Sequence, residues 1–138
     1  MVRDWDFVRK ILLEIEKYQV NDVEIDLSVL EVDIIAIIFN GKVNPSQNSK
    51  IKYHFILLME EGFIRSNYEP GMNDEIKIYG LSWQGHDFAE KLRNDNWWNE
   101  VKRRAEEKGV ALTTEALSNI LTHYMNKSID DFFGNGDT

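Results

Sequence analysis

Polar residues at the start of the third predicted helix are the best candidates for recognition chemistry. Asn44 and Pro45 are typical of a helix start, with Asn44 as the cap and proline at the first helical position. The outward-facing residues of this helix are then Ser46, Gln47, Asn48, Ser49, Lys50, Lys52 and Tyr53. Lysine binds phosphate oxygens, and the amides of glutamine and asparagine pair with adenine edges. This set predicts contact with double-stranded DNA, and the alternative is a solvated polar face on a core helix.

The chain shows no pattern typical of an enzyme. His86 and Asp87 resemble two members of a catalytic triad, but neighbours on a helix point about 100° apart, and no nucleophile motif surrounds them. The chain has no cysteine, and His54 and His123 are too far along the chain from His86 to suggest a metal site by spacing. We therefore expect no catalytic residue, metal or cofactor. We expect His54 and His123 at the edge of the core or at the surface.

Aromatic residues in the second half of the chain predict packing and partner contacts. The packing of the fourth helix against the predicted hairpin is expected to depend on Trp83, Gly85, His86 and Phe88. Trp97 and Trp98 open the fifth helix. An exposed ring of this pair would anchor a protein partner, because tryptophan dominates interface hot spots. The alternative is that both rings are buried.

The net charge of −8 opposes DNA binding by most of the surface, and each third of the chain is acidic. DNA-binding surfaces are usually basic and release counterions from phosphate, so only a local patch of this chain is expected to attract DNA. The predicted hairpin loop, residues 68–75, contains three acidic residues and no basic one. We therefore expect the hairpin to avoid DNA, which favours its use in contacts with protein.

Composition indicates a folded globular protein. The chain has 138 residues, 43% of them hydrophobic, with four tryptophans. This is enough to bury a core without disulfides. No apolar run reaches the roughly 18–20 residues that a membrane span needs, and the acidic, amphipathic N-terminus differs from a secretory signal. We therefore expect a soluble cytoplasmic protein with no membrane contact.

Hydrophobic periodicity and cap residues predict six helices and three strands. The predicted strands are at 23–27, 63–68 and 76–81. The first three predicted helices are helix one from Asp4 to Tyr18, helix two at 30–39, closed by Asn40-Gly41, and helix three at 45–61, closed by Gly62. The last three are helix four, capped by Ser82, helix five at 97–108 and helix six from Thr113 or Thr114. The predicted inward residues are Val8, Ile11, Leu12 and Ile15 in helix one, Ile51, Phe55, Leu58 and Met59 in helix three, Ile76, Ile78 and Gly80 in the last strand, and Leu117, Ile120, Leu121 and Tyr124 in helix six. In the last strand, Leu81 is predicted to face outward with Lys77 and Tyr79.

Several stretches in order are similar to those of one family. Residues 3–16 and 53–64 match its first and third helices, and the run from Leu81 to Phe88, Leu-Ser-Trp-Gln-Gly-His-Asp-Phe, is its most distinctive part. Residues 93–95 and 98–102 continue the match. On these stretches the chain resembles the bacterial and phage family called domain of unknown function 2513. The resemblance implies a winged-helix fold and no established activity.

The expected fold is therefore α+β and mainly α. It comprises a winged helix-turn-helix core at 1–95 with a β-hairpin wing, a C-terminal helical extension at 96–130 packed on the core, and a mobile tail at 131–138. Two functions follow as hypotheses. The first is a winged-helix DNA-binding transcriptional regulator, dimeric and of bacterial or phage origin. The second is an acidic winged-helix module that binds a phage or host protein and, in one version, imitates nucleic acid. The fold favours the first hypothesis and the charge favours the second.

Overall fold

The structure is a computed structural model that describes residues 3–18, 24–42, 44–72, 75–109 and 111–133. Its elements are, in order, α1 (Trp5–Tyr18), β1 (Ile25–Asp26), α2 (Leu27–Phe39), α3 (Pro45–Glu60), β2 (Ile64–Ser66), β3 (Lys77–Leu81), α4 (Trp83–Leu92), α5 (Asp95–Lys108) and α6 (Thr114–Phe133). The fold is α+β and mainly helical, as predicted. The chain divides into two compact units, Met1–Ala89 and Glu90–Thr138. The boundary lies inside α4, six residues before the predicted one.

Three short strands form an antiparallel sheet in the order β1-β3-β2. Ile25 pairs with Ile78, and Ile64 pairs with Leu81. The β2–β3 hairpin turns at Pro70-Gly71, where the N–H of Met72 donates to the carbonyl of Glu69 at 3.1 Å and Gly71 has φ +83°. This is the turn that the Pro-Gly pair predicts, because proline presets the first central position and glycine tolerates positive φ at the second.

The core of the first unit forms around α1, which packs against α2, α3 and β3. The predicted inward residues Val8, Ile11, Leu12 and Ile15 are all buried, since this spacing places them on one face of the helix. Asp4 caps the helix as predicted: its Oδ1 accepts from the N–H groups of Asp6 and Phe7. The core extends through Leu30, Ile34, Ile51, Phe55, Leu58, Ile64, Ile78, Leu81 and Phe88.

The second helix begins earlier than predicted. Leu27, expected in a strand, is the first residue of α2, and only Ile25–Asp26 is extended; Val23 lies outside the described residues. The N–H of Leu27 donates to the carbonyl of Ile76 at 2.9 Å, which joins the first turn of the helix to the sheet. The helix ends as predicted, with Asn40 in the left-handed conformation at φ 54°.

Gly62 ends α3 and turns the chain into the hairpin, as predicted. It has φ +83°, its N–H donates to the carbonyl of Met59, and the next N–H, of Phe63, donates to that of Leu58. In the last strand the predicted alternation is wrong at Leu81, which is buried beside Gly80. Gly80 has φ 137°, and the β2–β3 register shifts between Arg65 and Ser66, so the simple two-residue period does not hold there.

The fourth helix begins at a close backbone contact. Ser82 caps it as predicted, since its Oγ accepts from the N–H of Gly85 at 3.0 Å. A Cβ atom at Gly85 would lie 2.1 Å from the carbonyl oxygen of Phe63, so the position admits only glycine. Phe88 packs against Phe63 and Trp5, in agreement with its predicted role. The prediction is wrong for Trp83, whose side chain is 89% exposed.

The second unit contains the end of α4, α5 and α6, and α5 packs against α6. Asn94 caps α5 by accepting from the N–H of Trp97, and Gly109 ends it with φ +64°. Leu117 and Leu121 of α6 are buried as predicted, but Ile120 is 38% exposed. Helix α6 includes residues 131–133, and 134–138, the rest of the predicted mobile tail, lie outside the described residues. Within the part of the chain that is described, no helix is long and apolar enough to cross a membrane.

Candidate nucleic-acid interface

The candidate interface is the N-terminal half of α3, residues 44–53. A reciprocal cap fixes its first turn: the N–H of Gln47 donates to Asn44 Oδ1, and the N–H of Asn44 donates to Gln47 Oε1, both at 2.9 Å. Gln47 was predicted to read bases. Its carboxamide oxygen is instead engaged in the cap, so a bidentate adenine contact by Gln47 requires the cap to open.

Four of the predicted contact residues are exposed on this surface. Ser46, Asn48, Ser49 and Lys52 are exposed, whereas Gln47, Lys50 and Tyr53 are partly buried. No Asp or Glu occurs between Asp33 and Glu60, although the chain contains 24 acidic residues. The exposed side chains therefore form a polar surface on a stretch whose own charges, at Lys42, Lys50 and Lys52, are all positive.

Lys50 has a structural role that its sequence position did not reveal. Its ammonium lies 2.9 Å from Asp4 Oδ2 and 4.6 Å from the centre of the Phe7 ring. Partial burial alone would raise the pKa of Asp4, but the hydrogen bond and charge of Lys50, with the N–H groups of Phe7 and Asp6, lower it below its usual value. Lys50 thus joins α3 to the start of α1, and its charge is largely used within the fold.

His54 lies in the core, which corrects the expectation that it lies at the core edge or surface. Its side chain is 0% exposed. Nε2 accepts a hydrogen bond from the N–H of Asp4, and Nδ1 lies 2.7 Å from the carbonyl of Lys50. Burial lowers the pKa of His54, which favours the neutral ring, and a neutral ring also fits the contacts of its two nitrogens. The signal was in the spacing, because His54 stands three residues after Ile51 on the buried face, whereas the predicted Met59 is only partly buried.

Lys52 lies close to the carboxylates of other elements. It lines a shallow pocket of about 230 Å³ together with Asp26, Ser28, Glu31 and Glu75. Burial raises the pKa of Glu31, and the charge of Lys52 acts in the opposite direction. The ammonium of Lys52 therefore faces both solvent and carboxylates, and any anion that it binds competes with them.

The hairpin offers little positive charge beside α3. Arg65 of β2 donates from Nε to the carbonyl of Leu81 at 3.2 Å and from Nη2 to that of Tyr79 at 3.4 Å. Glu69 and Glu75 are exposed near the turn, and Asp74 lies outside the described residues. The guanidinium thus donates to the backbone of the hairpin, and the expectation that the hairpin avoids DNA stays a prediction.

The remaining predicted residues do not converge on a site. Nδ1 of His86 lies 3.9 Å from Glu16 Oε2, and both His86 and Asp87 are exposed on α4. Trp98 is buried, with the Lys102 ammonium 5.4 Å from the centre of its ring. Trp97 is partly buried and stacks on Tyr124, with ring centres 6.2 Å apart. Among the described residues, the most exposed large aromatic ring is that of Trp83, for which the sequence predicts a packing role.

A protein-family model identifies the family of the chain. Residues 2–111 match the model of the family described as "Hypothetical protein (DUF2513)". The chain belongs to the DUF2513 family. This DUF2513 chain is 30% identical over 121 residues to a protein from Haemophilus influenzae that is described as an uncharacterized protein, and the match covers 87% of this chain and 92% of the relative. No solved structure matches the chain.

Proposed function

We propose that this DUF2513 protein is a winged-helix DNA-binding protein, a cytoplasmic transcriptional regulator of bacterial or phage origin. The order α1-β1-α2-α3-β2-β3 supports this proposal, because α3 follows α2 as a recognition helix does and is followed by a hairpin in the position of a wing. The observation that carries the proposal is the N-terminal half of α3, which exposes Ser46, Asn48, Ser49 and Lys52 on a stretch without acidic residues of its own, although carboxylates of other elements lie beside Lys52.

Few positive charges are available on this surface, so the proposed contact with DNA is small. Lys50 is paired with Asp4, so the phosphate contacts fall to Lys52 and to Lys42, which is exposed just before the Asn44 cap. The N-terminus of α3 adds its partial positive charge. Asn48 and Ser49 are then the residues that reach base edges. We expect weak binding with a shallow salt dependence, because the number of neutralised phosphates sets the slope.

The test is fluorescence anisotropy of labelled random and A·T-rich duplexes, titrated with protein from low to physiological salt. The proposal predicts binding whose logarithm falls linearly with the logarithm of salt concentration, with a slope corresponding to about two to three phosphates. No binding at the lowest salt would mean that the acidic field of the protein prevails, and the proposal would be wrong.

A second candidate function is protein interaction through α2, supported by the exposed apolar side chains of that helix. The α2 outer surface is formed by Val29, Val32, Ala36 and Ile37. Val29 is 47% exposed, Val32 is 63% exposed and Ile37 is 42% exposed. Val29, Val32 and Ala36 follow a spacing of three and four, so they lie on one face. Contiguous apolar surface of this kind is typical of interaction sites. The test is sedimentation velocity over a range of concentrations, in which binding of a second copy through α2 would give a concentration-dependent dimer.

A further inference from the structure

The second unit contains a groove between α5 and α6 that neither proposed function uses. The α5–α6 groove has a volume of about 550 Å³, within the range of roughly 300–1,000 Å³ of small-molecule sites. Its apolar lining residues are Val101, Ala105, Leu112, Ile120 and Tyr124. Val101 is buried and Ile120 is 38% exposed, so the lining runs from the core to the surface.

The polar lining of the groove has one sign of charge. None of the other described lining residues is acidic. They are Arg104, Lys108, Asn119, His123 and Lys127. Arg104 is paired with Glu100, which lies outside the lining, at 2.8 Å. The positive charge of the lining therefore comes mainly from Lys108 and Lys127, in a chain with a net charge of −8.

We propose that the α5–α6 groove binds a small amphiphile that has one carboxylate on an aliphatic body, such as a medium-chain fatty acid. The apolar lining removes the chain from water, and the exposed ammonium groups of Lys108 and Lys127 face the carboxylate. Trp97 stacks on Tyr124, a lining residue, so an occupied groove changes the surroundings of this tryptophan. The inference does not depend on DNA binding, because every described lining residue belongs to the second unit.

The experiment is isothermal titration calorimetry of the full chain with dodecanoate below its micelle concentration, with tryptophan fluorescence as a second readout. We expect one molecule bound per chain. Binding should be at least about tenfold weaker in the double variant Lys108→Met, Lys127→Met, which keeps the apolar stems and removes both charges. The control variant, Lys10→Met, removes an exposed charge from the first unit and should bind like the wild type.

Two further arms separate this site from general hydrophobic binding. Dodecyl maltoside below its micelle concentration, which has the same aliphatic chain and no charge, should bind at least about tenfold more weakly than dodecanoate. Ile120→Glu, at a partly exposed position that tolerates a polar side chain, should abolish dodecanoate binding while circular dichroism stays unchanged. Absence of dodecanoate binding to the wild type, or equal binding by the lysine double variant, would overturn the inference.

Discussion

The backbone N–H of Asp4 donates a hydrogen bond to Nε2 of His54, a residue 50 positions later, at 2.7 Å. The imidazole accepts at Nε2 while Nδ1–H donates to the carbonyl of Lys50, so the ring is the neutral Nδ1–H tautomer. The ammonium of Lys50 in turn reaches the carboxylate of Asp4. This closed set of contacts fixes the start of α1 against α3, and with it the position of the candidate interface.

The buried ring makes stability depend on pH. Burial lowers the pKa of His54 in the folded protein below its usual value of 6.5, so the unfolded chain binds a proton more readily. The contribution of His54 to stability is therefore fully present above about pH 6.5 and is lost as the pH falls toward the lower folded-state pKa. Urea unfolding at pH 7.5, 6.5 and 5.5 should show the free energy of unfolding decreasing over this window.

His54→Gln isolates this contribution. At pH 7.5 the variant should be less stable by about 1–3 kcal/mol, because it disturbs a buried hydrogen-bonded site. Relative to the wild type, its stability should fall less between pH 6.5 and pH 5.5. His123→Gln, at an exposed histidine, serves as the control and should keep the wild-type pH dependence. An unchanged pH dependence in His54→Gln would contradict this interpretation of the ring.

Gly85 is required by the approach of α4 to the backbone of Phe63. In Gly85→Ala the new Cβ would meet the Phe63 carbonyl oxygen at 2.1 Å, and this oxygen also accepts from the N–H of Ser82. We expect a loss of at least about 2 kcal/mol in the free energy of unfolding. Gln84→Ala, at the exposed neighbouring position, should change stability by less than about 0.5 kcal/mol. Chemical denaturation of the two variants makes the comparison, and equal stabilities would show that the backbone shifts at little cost.

The α2 outer surface provides a test of self-association. Val32 is 63% exposed, so Val32→Lys should leave the free energy of unfolding within about 0.5 kcal/mol of the wild type. If two copies associate through α2, the variant should sediment as a monomer at concentrations where the wild type is a dimer. Gln84→Lys, at an exposed position on α4, adds the same charge and serves as the control. Dimerisation that survives in Val32→Lys would exclude this surface as the dimer contact.

Local signals predicted most of the elements. Asn44-Pro45 located the start of α3, Gly62 its end and Pro70-Gly71 the hairpin turn, since each depends on a few neighbouring backbone groups. The start of α2 was placed late, at Leu30 instead of Leu27. The isoleucine-rich sequence of α2 fits both the helix period and the strand period. The choice between helix and strand at Leu27 depends on a hydrogen bond from its N–H to the carbonyl of Ile76, far along the chain.

The candidate site was less predictable, because its chemistry depends on long-range partners. Spacing placed Lys50 on the outward face of α3, but it could not reveal Asp4 as the ionic partner of Lys50. Trp83 shows the opposite case: the sequence predicts a packed side chain, and the structure leaves it exposed. Its neighbours Gly85 and Phe88 pack closely, and the register of α4 leaves Trp83 in solvent. Sequence periodicity identifies a face of a helix, whereas tertiary structure decides what covers it.

The central claim is that the N-terminal half of α3 contacts DNA through Lys52 and Lys42. Lys50 is unsuitable for its test, because Lys50→Glu would place an acid against Asp4 and disturb the fold. The double variant Lys42→Gln, Lys52→Gln removes two exposed charges without adding an acid beside Glu31, and Lys10→Gln, Lys108→Gln, at exposed positions on α1 and α5, matches its change in net charge.

The most direct measurement is the anisotropy salt titration of these two double variants beside the wild type. We predict that the wild type and the control double variant bind at low salt. The α3 variant should lose measurable binding, or keep a salt slope reduced by about two. Equal loss in both double variants would attribute the effect to net charge. Undiminished binding by the α3 variant would contradict the claim and place the DNA contact elsewhere.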